Sequence, residues 1–430
     1  MAATFDSSKH PRGHHSNRGS FSERSRDEDT VSFNSGSWPA IGHEPQEWRS
    51  SDASLGIEGG RALLSETQQY ESAVPATIAD LVPSLSSDVA ALAEDASYEL
   101  SRFDAELGGE VAAFGSILLR SEAVASSQIE NLSASARAIL TAELGDTTAA
   151  NARVIAANTK AMQSAISLAD SLTPDSVRAM HAVLLEHDPR HTPGHWRQEP
   201  VWIGVSSASP VGAIYVAPSF DRVPELMDDV MAFASRDDVP ILSQAAIAHA
   251  QLETIHPFTD GNGRTGRSLI QAMLRGKGLT RSVTVPVSAG LLVNVADYHS
   301  ALTSYRNGDI EPIVSLTAKA SMQAVGNARL LVSDIRKTRL SWNDRVRARS
   351  DSAVWKVMDM AARQPVLSAN AVAVELGIIP ANAYRYLRQL ADAGILKSKS
   401  EYKIGVLWRA DDILSAIDSF AGRTGRRSSA

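Results

Sequence analysis

One short stretch holds most of the residues that could do chemistry: IHPFTDGNGRTGR, from Ile255 to Arg267. It follows an apolar helical pattern, and its glycines and asparagine break helices, so we predict a loop and then a second helix that begins near Gly266. The N-terminus of a helix offers unpaired backbone N–H groups and the positive end of the helix dipole. The backbone N–H groups of Gly261, Asn262 and Gly263 can form a nest, which is a concave arrangement of amides that binds an anion.

The charged side chains of this stretch suit a chain of phosphates. Arg264 and Arg267 are three positions apart on the predicted helix and can face one anion, and two fixed guanidiniums match several phosphates better than a single carboxylate. Asp260 offers the carboxylate that a phosphate-bridging magnesium ion takes. His256 can remove a proton from an incoming hydroxyl, which then attacks phosphorus. Phe258 is expected to anchor the loop in the core.

Composition and charge indicate an ordinary protein of two or three domains. The chain has 430 residues, 43% of them hydrophobic and 21% charged, with a net charge of −7, so it can bury a sizeable core. Cysteine is absent, which excludes disulfides and thiolate metal sites and suits a reducing compartment. The sequence shows no apolar run as long as a membrane span and no secretory signal. We therefore expect a cytoplasmic protein.

The sequence divides into four predicted segments: a disordered tail over 1–65, a helical domain over 66–335, a second domain over 340–422 and a basic tail over 423–430. The first is rich in Ser, Gly, Arg, His and Asp and lacks periodicity. Its histidines, His10, His14 and His15, are expected to be solvated because their spacing fits no metal site. Ser341 to Ala430 has 14 lysines and arginines against 9 acidic residues, which hints at a module with its own partner.

Apolar residues at three- and four-residue steps predict helices through the large domain. The main ones are expected at Ala112 to Ile129, Thr148 to Leu172, Pro174 to Glu186, Val223 to Ser235 and Leu242 to Ile255. Two β-prone pieces, Val201 to Val205 and Ala213 to Val216, flank a Ser/Gly/Pro turn and predict a β-hairpin. A lone hairpin in a helical protein suits a binding or covering role; the alternative is that it closes an edge of the core.

The string HPFTDGNGRTGR resembles the signature loop of the Fic family, His-x-Phe-x-Asp/Glu-Gly-Asn-Gly-Arg-x-x-Arg. Every fixed position is filled, by His256, Phe258, Asp260, Gly261, Asn262, Gly263, Arg264 and Arg267. The resemblance covers roughly Pro75 to Val325. It implies a mainly α fold, a Fic-type helical bundle with a β-hairpin flap.

The resemblance also implies an activity, the transfer of AMP from ATP to a Ser, Thr or Tyr hydroxyl of a target protein. In this reaction His256 would be the base, and Asp260 would hold Mg²⁺. Arg264 would support the transition state and the diphosphate leaving group, and Arg267 would hold the γ-phosphate. The α- and β-phosphates would be held by Asn262 and the loop amides, including those of Gly261 and Gly263.

Two further sets of contacts follow from the resemblance. The flap docks a target segment by strand addition in this family, and here its residues would be Gly212, Ala213, Ile214 and Tyr215. Tyr298 and Asn307 would lie near the adenine, although both also suit packing and turn positions.

A second string, SSQIEN from Ser126 to Asn131, resembles the family's inhibitory motif, Ser/Thr-x-x-x-Glu-Gly/Asn. In relatives that carry it, the glutamate pairs with the second arginine of the loop, which here joins Glu130 to Arg267. A carboxylate there occupies the place of the γ-phosphate, so ATP binds in an unproductive pose. The resemblance therefore implies autoinhibition by a helix that precedes the loop in sequence.

The C-terminal segment combines helices with extended pieces. Helices are predicted at Val354 to Ala362, after Ser368 as far as Gly377, and from Pro380 to Gly394, with extended pieces near Ile395 to Lys397 and Gly405 to Trp408. This pattern resembles a winged helix-turn-helix domain. The exposed residues of its third helix and wing would be Asn382, Arg385, Arg388, Lys397, Lys399 and Lys403. DNA binding and a protein-docking or dimerising role both stay open, since fold alone does not settle function.

Two alternatives to AMP transfer also stay open. The same fold could transfer UMP or phosphocholine, phosphorylate, or remove AMP with Glu130 positioning water; an arginine for the γ-phosphate favours ATP as donor. A transcription regulator that only senses nucleotide is the alternative from another class. His256 counts against it, because sensing needs no base.

Overall fold

Helices dominate the part of the protein that the computed structural model describes, which is residues 38–49, 67–146, 148–188, 190–204, 208–401 and 405–424. The N-terminal bundle contains α1 (Ser87–Leu107), α2 (Val111–Ile129), α3 (Ala136–Glu143), α4 (Ala150–Ser167), α5 (Pro174–Leu184), α6 (Val223–Ser235), α7 (Ile241–Ile255), α8 (Asn262–Gly276), α9 (Val287–Leu292), α10 (Val295–Arg306) and α11 (Glu311–Asn343). The expected mainly α fold is confirmed. Within the described ranges, no helix has both the length and the apolar character needed to cross a bilayer.

Helix α7 lies at the centre of the bundle because its sequence is apolar on most sides. All residues from Leu242 to Ile255 are buried, as expected for a helix surrounded by others. Helices α6, α8 and α11 pack against it. Phe258, in the loop that follows, is fully buried and anchors that loop, as predicted. The loop with the chemical side chains therefore starts from a rigid support.

Helix α8 begins at Asn262, four residues before the predicted start near Gly266. Gly261 supplies the left-handed turn that precedes it, with φ 78°, while Gly263 and Gly266 lie inside the helix. A glycine inside a helix costs about 1 kcal/mol relative to alanine, which favours a later start when only the sequence is considered. In the fold the first turn is buried, and packing outweighs that cost.

Two short antiparallel hairpins join the bundle: β1 (Gly42–Arg49) pairs with β2 (Thr67–Val74), and β3 (Trp202–Ile203) pairs with β4 (Tyr215–Val216). The β3–β4 hairpin lies where the sequence predicts one. The prediction of a disordered tail over 1–65 is wrong for residues 42–49, because strand β1 places them in a sheet. The other residues of this predicted tail, 1–37 and 50–65, lie outside the described residues. They include His10, His14 and His15.

Strand β1 is held by contacts that its sequence does not reveal. Its residues, GHEPQEWR, are mostly polar and give no strand signal. Glu44 Oε2 pairs with Arg222 Nη2 at 2.6 Å, and Ala73 of β2 packs with Tyr215 and Ala217 of the second hairpin. Long-range pairing, rather than local propensity, therefore makes this segment a strand.

The C-terminal part contains α12 (Val354–Arg363), β5 (Val366–Ser368), α13 (Ala369–Leu376), α14 (Pro380–Asp392), β6 (Lys397–Glu401), β7 (Gly405–Arg409) and α15 (Asp411–Thr424). Its strands form an antiparallel sheet in the order β5-β7-β6. The three predicted helices and two extended pieces are present, and β5 is an additional strand. Assignment to the winged helix-turn-helix class stays a prediction.

The boundaries of the C-terminal part differ from those predicted. Helix α11 continues to Asn343 and α15 to Thr424, so the predicted boundaries at 340 and 422 fall inside helices. Helix α15 packs against α2 and α3, and the two parts share a buried apolar cluster of Ala136, Leu140, Val366, Leu407 and Leu414. The composition of the sequence indicates a separate C-terminal module, but it does not show which helix connects that module to the large domain.

Candidate active site

A cavity of about 380 Å³ lies where the loop between α7 and α8 meets the β3–β4 hairpin. Its other walls come from the end of α2 and from α10. The structure brings together in its lining most of the predicted site residues, namely Glu130, Ile214, Tyr215, His256, Asp260, Gly261, Asn262, Gly263, Arg267 and Tyr298. Their clustering comes from the packing of four separate elements.

His256 ends α7 in a left-handed backbone conformation, with φ 52°. A non-glycine residue held there costs on the order of 1 kcal/mol or more, so neighbouring contacts must maintain it. Its N–H donates to the Leu252 carbonyl at 2.8 Å, and its ring Nδ1 is 3.3 Å from the Glu253 carbonyl oxygen. Because a carbonyl only accepts, Nδ1 carries the proton of the neutral ring, and Nε2 keeps the lone pair of a base.

The surroundings of His256 keep its imidazole neutral. Burial lowers the pKa of His256 to about 4; the Glu253 carbonyl opposes this shift, while the cations Arg197 and Arg306 add to it. The Glu253 carboxylate lies 3.9 Å from Nδ1, and burial raises the pKa of Glu253 to about 7 although Arg267 opposes that change. At physiological pH the His256 ring can therefore accept a proton.

The side chain of Asn262 closes the loop on itself. Its Oδ1 accepts from the Phe258 N–H at 2.9 Å, and its Nδ2 donates to the Phe258 carbonyl at 2.8 Å. Both ends of the carboxamide are used in this way, so a phosphate contact from this position would come from the backbone N–H. Gly261 precedes it, and a side chain there would press against Leu184.

Glu130 lies against the first turn of α8. A Cβ at Gly263 would overlap the Glu130 Oε1 atom, which explains why this helical position has no side chain. The Glu130 carboxylate therefore occupies the place where the N-terminus of α8 would hold an anion.

Arg267 is held by Ser126 and Glu130, two of the three defined positions of the predicted inhibitory motif. The guanidinium is 1% exposed, and its Nη2 donates to Glu130 Oε1 at 2.8 Å. Ser126, also buried, accepts from Arg267 Nε through its hydroxyl at 2.9 Å and from Nη2 through its carbonyl at 2.8 Å. Burial opposes the ionisation of Glu130, yet the Arg267 guanidinium holds the pKa of that carboxyl below its ordinary value.

Arg264 and Asp260 form a second pair beside the loop. Arg264 Nη2 is 3.1 Å from Asp260 Oδ2; the arginine side chain is 5% exposed and the carboxylate 44%. Among the described residues, no group of three or more His, Cys, Asp or Glu side chains could hold a metal ion. One exposed carboxylate beside an anion site still fits Mg²⁺, which binds through one or two carboxylates together with substrate phosphates. Asp260 is the residue that could hold it.

His181 of α5 fixes the loop, although the motif does not include it. Its Nδ1 accepts from the Gly194 N–H at 3.0 Å, so Nε2 carries the proton and donates to the Asp260 carbonyl at 3.0 Å. The ring stacks on Phe258 with 3.6 Å between centroids, and burial lowers the pKa of His181 to about 4. In the sequence this residue looks like a core histidine, because only the fold shows that it reaches the loop.

The β3–β4 hairpin presents an apolar edge to the cavity. Ile214 is 83% exposed and Ile203 47%, and the Ile214 N–H donates to the Ile203 carbonyl at 2.8 Å. Tyr215 is buried, and its hydroxyl donates to the Thr254 carbonyl of α7. Gly212 makes the turn before Ala213 with φ 76°. The hairpin is thus attached at its base to the helix that carries His256.

Of the two residues predicted near an adenine, the structure brings one to the cavity. The Tyr298 hydroxyl is 2.7 Å from His249 Nε2 and 3.5 Å from Arg267 Nη1, which places it at the Arg267 end. Asn307 is exposed and caps the end of α10, outside the cavity lining. Arg306, one position earlier, lines the cavity instead, with its guanidinium 3.9 Å from the Tyr215 ring centroid.

Comparison with known proteins points to the same segment. A model of the Fic/DOC family matches residues 171–274. The chain is 30% identical over 156 residues to the protein adenylyltransferase fic-1 of Caenorhabditis elegans, covering 36% of this chain and 28% of that protein. It is 28% identical over 163 residues to the protein adenylyltransferase Fic of Nematostella vectensis, covering 37% and 35%. The chain thus spans about a third of the length of these curated relatives.

Among solved structures, a Fic family protein from Desulfovibrio desulfuricans G20 is 23% identical, with a TM-score of 0.49 over 76% of this chain and 97% of that one. The family match includes α5, the β3–β4 hairpin and the whole signature loop from His256 to Arg267. This chain therefore contains, at residues 171–274, a domain of the Fic/DOC family.

Proposed function

We propose that the chain is a protein adenylyltransferase, which transfers AMP from ATP to a Ser, Thr or Tyr hydroxyl of a target protein. One observation carries the proposal: a neutral imidazole, His256, lies in the same cavity as the N-terminus of α8 and the buried Arg267. An anion site beside a base suits group transfer at phosphorus. Two relatives that match a little over a third of this chain are named protein adenylyltransferases.

The proposed reaction uses the loop residues in distinct roles. The target hydroxyl oxygen forms a bond to the α-phosphorus while His256 Nε2 takes its proton, and the bond from that phosphorus to the bridging oxygen breaks to release diphosphate. Backbone N–H groups at the start of α8 hold the α- and β-phosphates, and Arg264 supports the charge on the leaving group. Asp260 would hold Mg²⁺, which supplies charge neutralisation between phosphates.

The target segment is proposed to dock on the β3–β4 hairpin. Strand addition satisfies main-chain groups at the hairpin edge, and Ile203 and Ile214 offer apolar contacts beside the cavity. With ATP as the donor, the compartment we propose is the cytoplasm, where this nucleotide is abundant.

The proposal is tested by following each phosphate of the donor. The Glu130→Gly chain is incubated with cell lysate and ATP labelled at either the α- or the γ-phosphate. We expect protein to take up the α-label only, diphosphate to be released, and mass spectrometry to find an adenylyl group on a hydroxyl. Chelation of magnesium should stop the transfer.

Other results of this experiment, or of the same experiment with a different donor, would support one of the alternative functions. Uptake of the γ-label would indicate phosphorylation, and label from UTP or CDP-choline instead of ATP would indicate another donor. Loss of label from a pre-modified protein would indicate removal of AMP. Nucleotide binding without any transfer would leave a nucleotide sensor.

We also propose that the C-terminal part contacts DNA through α14. Asn382, Arg385 and Arg388 are exposed on this helix, and Lys397 and Lys399 are exposed on β6; Lys403 lies outside the described residues. Retardation of genomic fragments in a gel should weaken steeply as salt rises, since each phosphate contact releases counterions. Arg385→Ala and Arg388→Ala should weaken binding. Arg336→Ala should not, because this residue lies on α11 and its side chain pairs with Glu110, just before α2.

A chain that retards no fragment at low salt would exclude the DNA contact. Sedimentation of the same sample then tests the alternative for this part, a homodimer in which the C-terminal module joins two copies.

A further inference from the structure

Arg197 connects four separate carbonyl groups around the candidate active site. It lies between α5 and β3 and is 2% exposed. Its Nε donates to the His256 carbonyl at 2.8 Å, and its Nη2 donates to the Ile255 carbonyl at 3.3 Å and to the Pro218 carbonyl at 2.6 Å. Its Nη1 donates to the Glu199 carbonyl at 3.1 Å.

The contacts with Ile255 and His256 complete the end of α7. The last carbonyls of a helix lack partners within the helix, and the helix dipole makes them an attractive place for a cation. The Arg197 backbone N–H also donates to the Pro257 carbonyl at 3.0 Å. Three successive carbonyls around the left-handed His256 are therefore held by one arginine.

The contacts with Glu199 and Pro218 reach the β3–β4 hairpin. Glu199 precedes β3, and Pro218 follows β4, so the two residues mark the two ends of the hairpin. The hairpin is also closed near its base by the Ala217 N–H, which donates to the Val201 carbonyl at 3.0 Å. One planar guanidinium thus joins both ends of the hairpin to the backbone of His256.

The charge of Arg197 is held by carbonyl dipoles. Among the described residues, the charged or titratable groups that act on its pKa are the Tyr215 and Tyr70 hydroxyls rather than a carboxylate. Burial lowers the pKa of Arg197 to about 10, so the guanidinium stays charged at neutral pH. The charged or titratable groups that face the His256 ring are Glu130, Arg197, Glu253 and Arg306.

We propose that Arg197 is a positioning residue that fixes the His256 backbone and both ends of the target-docking hairpin in one arrangement. This inference rests on the proposed adenylyl transfer, for which the hairpin must present a hydroxyl to the His256 ring. A bound target strand would then be aligned with the base through a single rigid connection. Arginine suits this role because its donors lie in a fixed plane, whereas a lysine ammonium cannot span the four carbonyls.

Two substitutions in the Glu130→Gly chain separate the shape of this side chain from its charge. Arg197→Lys keeps the cation but loses the fork, and Arg197→Gln loses the charge. We expect both to lower kcat for transfer on the order of tenfold or more, since small misplacements of a reacting group reduce rates strongly. The Kd for ATP should stay unchanged, because the phosphate contacts come from α8.

The His256 ring supplies a readout that a purely structural role would not move. Burial is the main cause of the low pKa of His256, and Arg197 adds to it. If loss of the fork frees the His256 backbone and exposes the imidazole to water, NMR titration of labelled histidine should show its pKa rising in both variants, and further in Arg197→Gln, which also loses the cation. This measurement does not depend on transfer, so it distinguishes failure of the inference from failure of the proposed function. An unchanged His256 pKa in a folded Arg197→Gln chain overturns the inference.

Arg236 provides the matched control. Its Nη1 also donates to two backbone carbonyls, those of Ala79 at 2.9 Å and Leu81 at 2.6 Å, but neither borders the cavity. Arg236→Lys and Arg236→Gln should leave kcat and the His256 titration unchanged. Should Arg197→Gln fail to fold, Arg197→Lys decides, since full kcat in that variant would contradict the positioning role.

Discussion

Replacing Glu130 with glycine is expected to raise the rate of AMP transfer by roughly 10- to 100-fold, because hydrogen bonds between charged groups contribute about 1.5–3 kcal/mol and each 1.4 kcal/mol is about a factor of ten. The Glu130 carboxylate is bonded to Arg267 at 2.8 Å and lies against Gly263. It therefore occupies the position proposed for the γ-phosphate. Without it, Arg267 and the first turn of α8 become available to ATP.

The expected activation is specific to the carboxylate at this position. Glu130 caps the end of α2 with φ −85°, so glycine is tolerated there at little cost to the helix. Glu130→Gln keeps most of the bulk but removes the charge, and its rate should lie between those of the unsubstituted and the glycine chains. Initial rates with α-labelled ATP, for self-modification and for a target, measure the effect.

Glu110 supplies the control for the same helix. It lies just before α2 and does not line the cavity. Its Oε1 pairs with Arg336 Nη2 at 2.8 Å. Glu110→Gly should leave the rate unchanged. Equal rates in the Glu130→Gly and unsubstituted chains would show that this carboxylate does not restrain the enzyme.

The parts of the site that lie close together in sequence could be predicted from it. The residues from His256 to Arg267 occupy twelve consecutive positions, so their types and spacing alone suggest an anion site beside a base. The pairing of Glu130 with Arg267 spans more than a hundred positions, and it could be predicted only because a second string resembles a known motif.

The supporting residues could not be predicted, because tertiary packing alone gives them their roles. Arg197 lies in an irregular segment without periodicity, and His181 looks like a core residue on its helix. Strand β1 is polar and is stabilised by pairing with β2. Even within the motif, the sequence indicates that Asn262 matters but not that its side chain is used on the Phe258 backbone.

Removal of the base is expected to have the largest effect on activity. In the Glu130→Gly chain, His256→Ala should reduce the transfer rate by about 10²- to 10⁴-fold, the range for loss of a general base. The Kd for ATP, measured by calorimetry with magnesium, should change little, because the contacts proposed for the phosphates come from α8 rather than from the imidazole.

The left-handed backbone of His256 calls for a second variant. With φ 52° at this position, alanine adds strain, whereas asparagine adopts this conformation more readily. His256→Asn therefore removes the base while preserving the loop, and it should be as inactive as His256→Ala. His187→Ala, at an exposed histidine after α5, controls for loss of an imidazole elsewhere and should retain full transfer.

The pH dependence of transfer provides an independent check on the same residue. The neutral ring is the active form, and burial lowers the pKa of His256 to about 4, so its contribution to the rate should be complete above that pKa and fall only as pH drops through it. An ordinary histidine would give this fall near pH 6.5. A rate that halves near pH 6.5, or a His256→Asn chain with full activity, would show that His256 is not the neutral base that removes the proton from the acceptor hydroxyl.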